Sequence, residues 1–128
     1  MKALLDTHVF LWWITADPRL SEKAFSIIAK RDNTIFFSAA SCWEIAIKAK
    51  LGKLQLPGEN MDFIGDQLRI NRISPLAVTM GHAMQVYKLP DHHRDPFDRI
   101  LVAQGQWERI PIITADPLIA AYDVKTLW

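Results

Sequence analysis

The sequence is poor in several features that would each point to a particular class of protein. Its 128 residues include a single cysteine, Cys42, which excludes an intramolecular disulfide and a cysteine-based zinc cluster. No apolar run approaches the roughly 18 residues of a membrane span, and no charged segment followed by a long apolar one marks a secretion signal. We therefore expect a soluble, cytoplasmic protein.

Neither sign of charge is in excess. Lysine and arginine number 15 and aspartate and glutamate 14, which gives a net charge of +1 and no bulk attraction to nucleic acid. This balance does not exclude a local basic rim around an acidic pocket, because the attraction of a polyanion depends on clustered charge and not on net charge. Half of the residues are hydrophobic and 23% are charged, so the composition is that of a folded globular protein. The length predicts one domain, residues 1–128.

Predicted strands and helices alternate along the chain. We predict strands at Ala3–Leu5, Thr34–Phe37, Asn71–Ser74, Pro111–Thr114 and Asp123–Trp128. We predict helices at Thr7–Ile14, from Ser21 onward, at Ser38–Leu51, at Met61–Ile70, from Pro75 onward, at Pro96–Arg109, and as a turn from Asp116-Pro117. This alternation predicts an α/β fold with a parallel sheet that carries helices on both faces.

Four acids fall at equivalent places in this pattern. Asp6 and Asp116 directly follow strands, whereas Glu44 and Asp98 lie near the starts of helices. The carboxyl ends of parallel strands share one edge, where ligands bind in open α/β sheets, so these four side chains are expected to meet there. Carboxylates gathered without matching cations repel one another unless a metal is bound, and oxygen ligands suit Mg²⁺ or Mn²⁺. Mg²⁺ so held favours a phosphate oxygen as a further ligand, which is the arrangement for phosphodiester hydrolysis.

Each acid also has a purely structural interpretation. Asp6 is placed to cap the helix that follows it, and the Ser41-x-x-Glu44 spacing fits a capping box. Glu44 is also spaced to pair with Lys48 one helical turn later. Asp95 before Pro96 and Asp116 before Pro117 fit an N-cap followed by proline, and Asp98 would complement a helix dipole. Capping requires no particular sheet edge, however, and Ser, Thr or Asn would serve equally well.

Taken together, four runs resemble the PIN-domain ribonucleases, and more closely the VapC toxins of type II toxin–antitoxin modules. These runs are Leu5-Asp6-Thr7, SAASCWEIAIK at 38–48, DPFDRILVAQ at 95–104 and ITAD at 113–116. The resemblance covers Leu4 to Asp116, and its motifs occur in the family's order and spacing. It implies a PIN-like three-layer α/β/α fold with a central parallel sheet of four to five strands.

The resemblance also implies an activity and a site. It implies a Mg²⁺-dependent endoribonuclease, with Mn²⁺ as a substitute, that forms homodimers and is inhibited by a cognate antitoxin protein. The family's catalytic and metal-binding acids carry over to Asp6, Glu44, Asp98 and, as the more variable fourth, Asp116. Asp95 is an additional acid that we do not place among the metal ligands. Thr114 is positioned to hydrogen-bond a ligand carboxylate or a metal-bound water.

Other residues are weaker candidates. Thr114, Arg94, Arg99 and Lys48 are candidate substrate contacts, although an ion pair with a nearby acid explains each arginine equally well. Lys50 and Lys53 extend a basic run that more often marks a solvated face. His8 is expected to be structural. His92 and His93 are candidate RNA contacts or solvated loop residues.

The tryptophans and the cysteine are expected mainly in the core or at an interface. Trp12 and Trp13 are adjacent on one helix and cannot face the same side, so we expect one at the surface, where a partner could cover it. Trp43 and Trp107 are assigned to the core or an interface. Cys42 is expected to be a small core residue because no histidine lies near it in sequence.

Three competing functions remain. A catalytically silent PIN-fold binding module would lack one of the first three acids, and all three are present. A HAD-type phosphatase needs a second Asp two residues after Asp6, where His8 stands. A phosphoacceptor receiver domain would need an acidic pair after the first strand and an Asp at the end of a strand near the middle of the chain, and neither is present.

Overall fold

A computed structural model describes residues 1–58 and 60–128. Its strands are β1 (Lys2–Leu5), β2 (Thr34–Ser38), β3 (Ser74–Leu76), β4 (Ile112–Ile113) and β5 (Thr126–Leu127). Its helices are α1 (Thr7–Ile14), α2 (Glu22–Ala29), α3 (Ala39–Lys50), α4 (Asp62–Ile70), α5 (Met80–Val86), α6 (Pro96–Glu108) and α7 (Pro117–Ala120).

The five strands form one sheet in the order β3-β2-β1-β4-β5, and every neighbouring pair is parallel. The predicted central parallel sheet of four to five strands is therefore confirmed. β1 lies at the centre because three of its four side chains are apolar, and these three, Ala3, Leu4 and Leu5, are fully buried. Such continuous apolar runs are typical of strands covered on both faces.

Alternate residues of the central strands belong to two separate apolar clusters. Ala3, Leu5 and Ile113 pack with α1, α2, α3 and α4, whereas Leu4 and Ile112 pack with α6 and α7. Because successive side chains of a strand point to opposite faces, these clusters lie on the two sides of the sheet. The fold is the predicted three-layer α/β/α arrangement.

The prediction around Pro75 is wrong. Pro75 does not open a helix but lies inside β3, paired with Phe37 of β2, and the next helix begins at Met80. Proline is tolerated here because β3 is an edge strand that pairs on one side only. α5 begins instead at a capping box, in which the Thr79 side chain accepts from the His82 N–H and the Thr79 N–H donates to the His82 ring.

The tryptophan predictions also need correction. Trp12 and Trp13 are both half-buried, because Trp12 packs against Trp128 and Trp13 against Phe25, at centroid distances of 5.8 and 5.2 Å. Trp43 and Trp107, which were expected in the core or at an interface, are exposed in this chain by itself. Cys42 is half-buried against the first cluster, and burial raises the pKa of its thiol, as expected of a packing residue.

No helix in the described part of the chain combines the length and the apolar character needed to cross a membrane.

Candidate active site

The four predicted acids converge at the carboxyl edge of the sheet. Asp6 follows β1, Asp116 follows β4, and Glu44 lies in the second turn of α3, which follows β2 directly. Asp98 lies in the first turn of α6, whose N-terminus is at this edge because α6 leads back to β4. The acids lie close enough to interact electrostatically. The charges of Asp6 and Glu44 both raise the pKa of Asp98, and the charge of Asp116 raises the pKa of Asp6.

Asp6 both caps a helix and belongs to this acidic cluster. One oxygen, Oδ1, accepts from the His8 N–H at 3.4 Å and caps α1, so the structural interpretation holds. The other, Oδ2, accepts a hydrogen bond from the Thr114 hydroxyl at 2.7 Å. Burial raises the pKa of Asp6, and the Thr114 hydrogen bond opposes that rise. The predicted contact of Thr114 with a candidate ligand carboxylate is confirmed.

Glu44 is buried, with only 2% of its surface exposed. The predicted capping box with Ser41 is wrong, because α3 begins earlier: Ser38 is its N-cap and accepts from the Ala40 N–H. Ser41 instead accepts a hydrogen bond from the buried Thr7 hydroxyl, which ties α3 to α1. The predicted pair with Lys48 is confirmed, since Nζ lies 2.6 Å from Glu44 Oε2. The second oxygen, Oε1, is buried and has no hydrogen-bond partner among the residues that the structure describes.

Asp98 has the most perturbed ionisation of the cluster. Desolvation, together with the charges of Asp6 and Asp95, raises its pKa to about 7. Asp95 itself is the N-cap of α6, because its Oδ1 accepts from the Phe97 and Asp98 N–H groups. Its expected place outside the ligand set is consistent with this capping role. A carboxyl group whose pKa is raised by burial and by neighbouring acids is suited to bind a cation, because the cation stabilises its ionised form.

Asp116 is held at both oxygens. Oδ1 accepts from the Leu118 N–H and caps α7, and Oδ2 accepts from Nε2 of His93 at 3.1 Å. The same Nε2 lies 3.0 Å from Oδ2 of Asp98, so His93 contacts two of the four acids. The sequence had offered His93 only as an RNA contact or a solvated residue. The sequence contained one hint that His93 is held in place: it stands two residues before the helix-capping Asp95, so its ring can reach the Asp95 N–H.

The basic candidates separate into three cases. Arg99 does not point at a phosphate site: its Nη1 donates to the Pro90 carbonyl and the Tyr122 hydroxyl, each at 3.0 Å, and secures the loop before α6. We therefore correct its assignment as a substrate contact. Lys48 is paired with Glu44 but half-exposed at the rim of the acids, so it stays a candidate. Arg94 is exposed beside the cluster and stays a prediction.

An apolar wall borders the acids. Trp43 on α3 and Phe97 on α6 meet edge to face at a centroid distance of 5.2 Å, each next to a site acid in sequence. Behind them is a cavity of about 480 Å³, lined almost wholly by apolar groups. Trp43 is 64% exposed, so this wall presents a flat aromatic surface close to the carboxylates. Aromatic faces of this kind can stack on nucleobases.

The donor set fits a divalent cation. It offers an unpartnered buried oxygen of Glu44, together with carboxylates of Asp6 and Asp98 whose pKa values are raised. The lysine beside Glu44 neutralises one charge at most, which leaves the cluster short of positive charge. Hard oxygen ligands in excess of their counter-ions are the chemistry of Mg²⁺ and Mn²⁺ sites.

Comparison with known proteins agrees with this geometry. Residues 3–125 match the family model of the PIN domain. A stretch of 69 residues is 41% identical to Ribonuclease VapC16 of Mycobacterium tuberculosis and covers 51% of this chain. The match spans about half, 49%, of that relative's length.

Two solved structures share the fold. VapBC2 from Rickettsia felis, solved with a promoter DNA fragment, aligns with a TM-score of 0.72 and 14% identity over 100% of this chain and 99% of that one. FitAcB from Neisseria gonorrhoeae aligns with a TM-score of 0.64 and 18% identity over 98% and 96%. Because the family model matches nearly the whole chain, residues 3–125, the chain belongs to the PIN-domain family.

Proposed function

We propose that this chain is a metal-dependent endoribonuclease and acts as the toxin of a type II toxin–antitoxin module. The observation that carries the proposal is the acidic cluster, in which a buried oxygen of Glu44 has no partner within the described part of the chain. The similarity to a protein named as a ribonuclease, over 69 residues, supports the choice of RNA as substrate. We further propose that residues 1–128 form a single PIN-like domain.

Asp6, Glu44 and Asp98 would hold the ion, with Asp116 as the fourth acid. A bound Mg²⁺, or Mn²⁺ in its place, would stabilise charge on the phosphate as a Lewis acid. It would also lower the pKa of a water, which makes that water a better nucleophile towards the phosphate. Thr114 orients the Asp6 carboxylate by donating to Oδ2, while the His8 N–H holds Oδ1. Lys48 fixes Glu44 Oε2 and so leaves Oε1 as the oxygen available to bind.

The rim would position RNA. Arg94 is exposed and carries the fork of donors that matches phosphate oxygens, and Lys48 supplies a second positive charge. The aromatic wall of Trp43 and Phe97 would stack an unpaired base beside the acids. Single-stranded RNA suits this arrangement, because bases held in a duplex are not free to stack on protein.

Chelation tests this proposal directly. Purified protein is expected to cleave RNA with Mg²⁺, to lose cleavage in EDTA, and to recover it when Mn²⁺ or Mg²⁺ is restored, because the carboxylates alone cannot neutralise charge on phosphate. The measurement is gel analysis of a labelled single-stranded RNA panel. Cleavage that persists in EDTA would refute the metal mechanism. Absence of both cleavage and Mn²⁺ binding would instead favour a catalytically silent PIN-fold binding module.

We propose a cognate antitoxin as the protein partner. An active ribonuclease must be restrained in the cell, and the structural relatives are named as VapBC2 and FitAcB, names that resemble those of toxin–antitoxin modules. Trp13 and Phe25 line a cavity of about 670 Å³ between α1, α2 and α4, which offers an apolar partner surface to cover. A basic side chain of the antitoxin would neutralise the acidic cluster.

Expression of the chain alone is expected to arrest bacterial growth, and co-expression of the small protein encoded immediately upstream is expected to relieve the arrest. The measurement is colony formation with each gene under a separate inducer. Relief should require a physical complex, which co-purification would detect. Arrest that no neighbouring gene relieves would contradict the partner proposal without affecting the ribonuclease assay.

We also propose a homodimer. Met80 and Met84 on α5 and Tyr87 at its C-cap recur at helical spacing and are 76, 61 and 95% exposed, which leaves an apolar stripe without cover in the single chain. A second copy would bury such a stripe.

A further inference from the structure

His93 contacts two acids of the cluster through one ring nitrogen. Its Nε2 lies 3.1 Å from Asp116 Oδ2, in hydrogen-bonding geometry, and 3.0 Å from Asp98 Oδ2. The ring is largely buried, with 12% of the side chain exposed. A carboxylate oxygen of each acid and this nitrogen all lie within 4.8 Å of one another. Such a group of atoms could mean either that His93 is a metal ligand or that it orients the acids.

The other ring nitrogen decides between these two roles. Nδ1 accepts a hydrogen bond from the Asp95 backbone N–H at 3.1 Å, so Nδ1 carries no proton. The ring proton must then be on Nε2, because a neutral imidazole has one protonated and one free nitrogen. A nitrogen that carries a proton has no lone pair to give to a metal. His93 in this tautomer is therefore a hydrogen-bond donor to the acids and not a ligand.

The backbone around His93 is fixed as well. Its N–H donates to the Tyr122 hydroxyl at 2.8 Å, and the same hydroxyl accepts from Arg99 Nη1 at 3.0 Å. Arg99 also reaches the His93 carbonyl at 3.5 Å and the Pro90 carbonyl at 3.0 Å. The loop, the ring and its tautomer are thus set by contacts that do not involve the acids. A side chain held in this way can impose a position on its partners.

We propose that His93 is a positioning residue, which donates Nε2–H to Asp116 and holds that carboxylate beside Asp98 in an arrangement ready to bind a divalent cation. This inference rests on the proposed function and assigns one residue's part in it. Asp116 needs such a partner because Leu118 N–H holds only Oδ1, and without His93 the repulsion from Asp98 would be free to move the group away. Partners that orient ligand carboxylates typically contribute about 10- to 100-fold to metal affinity.

Two substitutions test the roles of the two ring nitrogens separately. His93→Asn keeps an acceptor near the Nδ1 position for the Asp95 N–H but does not reach Asp116. His93→Gln places an amide N–H near the Nε2 position and keeps the donor to Asp116. We expect His93→Asn to weaken Mn²⁺ binding by roughly tenfold and His93→Gln to stay within about threefold of the unchanged protein.

The measurement is Mn²⁺ titration by calorimetry, in the absence of RNA. His92→Asn, at the neighbouring exposed histidine, is the matched control and should bind Mn²⁺ as the unchanged protein does. Tighter binding by His93→Asn would overturn the proposal, since His93 would then compete with the ion. If the unchanged protein bound no Mn²⁺, the metal mechanism would fail as well. Unchanged affinity in His93→Asn alone would remove only the positioning role.

A spectroscopic test needs no substitution. Nitrogen-15 spectra of the metal-free protein should show His93 with a protonated Nε2 and a free Nδ1, and the same tautomer should persist when Mg²⁺ is added to saturation. A change to a protonated Nδ1 upon Mg²⁺ addition would show that Nε2 had become a ligand and would overturn the proposal.

Discussion

Replacing Asp98 by asparagine is expected to reduce RNA cleavage by at least about a hundredfold, because a ligand should matter no less than the groups that orient it. The same substitution is expected to stabilise the metal-free protein at pH 8. These opposite effects have one cause. Asp98 is held among other acids at a desolvated site, an arrangement that is unfavourable for the fold but suited to a cation.

The sign of the stability effect follows from the pKa of Asp98. Burial, with the charges of Asp6 and Asp95, raises this pKa to about 7 from the usual value of 3.8. Between these two values the folded state binds more protons than the unfolded state, so stability falls as the pH rises towards and through 7. Above pH 7 the folded protein must hold an ionised Asp98 near Asp6 and Asp95. Asparagine carries no charge and avoids that penalty.

Thermal unfolding in EDTA should therefore show the unchanged protein melting at lower temperature at pH 8 than at pH 5, and Asp98→Asn should reduce this difference. At pH 8 we expect the variant to melt roughly 5 °C higher. Added Mn²⁺ should reverse the order, since only the unchanged protein gains stability from a bound ion. Asp32→Asn, in an exposed turn before β2 at the opposite edge of the sheet, is the control. Greater pH 8 stability of the unchanged protein in EDTA would contradict this account.

Replacing His82 by alanine is expected to destabilise the fold by about 3 kcal/mol, a typical sum for a weakened helix cap and the cavity left by a buried ring. His82 is fully buried between α5 and α6. Its Nδ1 accepts from the Thr79 N–H at 3.0 Å, and its Nε2 lies 2.9 Å from Oε1 of Glu108. Gln104 approaches Nδ1 at 3.3 Å. Alanine would leave the Thr79 N–H unpaired and a cavity where the ring was.

Urea unfolding followed by circular dichroism measures this loss. His82→Asn retains an acceptor for the Thr79 N–H, and is expected to lose roughly half as much stability as alanine, because the capping box survives. His92→Ala, at an exposed histidine, should change stability by less than about 0.5 kcal/mol. A loss below about 1 kcal/mol for His82→Ala would show that water replaces the ring without penalty.

The acidic edge could be predicted from the sequence because it depends on topology alone. Once β1, β2 and β4 are recognised as parallel, the positions of Asp6, Glu44 and Asp116 follow from where strands end. The boundary between β1 and α1 could be predicted for a similar reason, since Asp6 separates an apolar strand from an apolar helix. In each case the local pattern and the global arrangement agree.

The errors arose where long-range contacts override local patterns. Pro75 resembles a helix start, but pairing with β2 places it in an edge strand. Ser41 and Glu44 have capping-box spacing, but Ser38 already caps α3, and the Ser41 hydroxyl accepts from Thr7 of α1. The role of His93 depends on its distance from Asp116, 23 residues later, which no local pattern encodes.

The two edge strands of the sheet bear on whether further chains can add to it by backbone pairing. β3 and β5 contain three and two residues, and β3 carries Pro75, which has no N–H to offer. Exposed strand edges are templates on which further chains add by backbone pairing, and short strands with proline are the usual protection. The sheet therefore offers little to β-augmentation or fibrillar growth at either end. Partners of this protein are expected to dock through helices and side chains. The strands serve instead to place the acids together at one edge of the sheet.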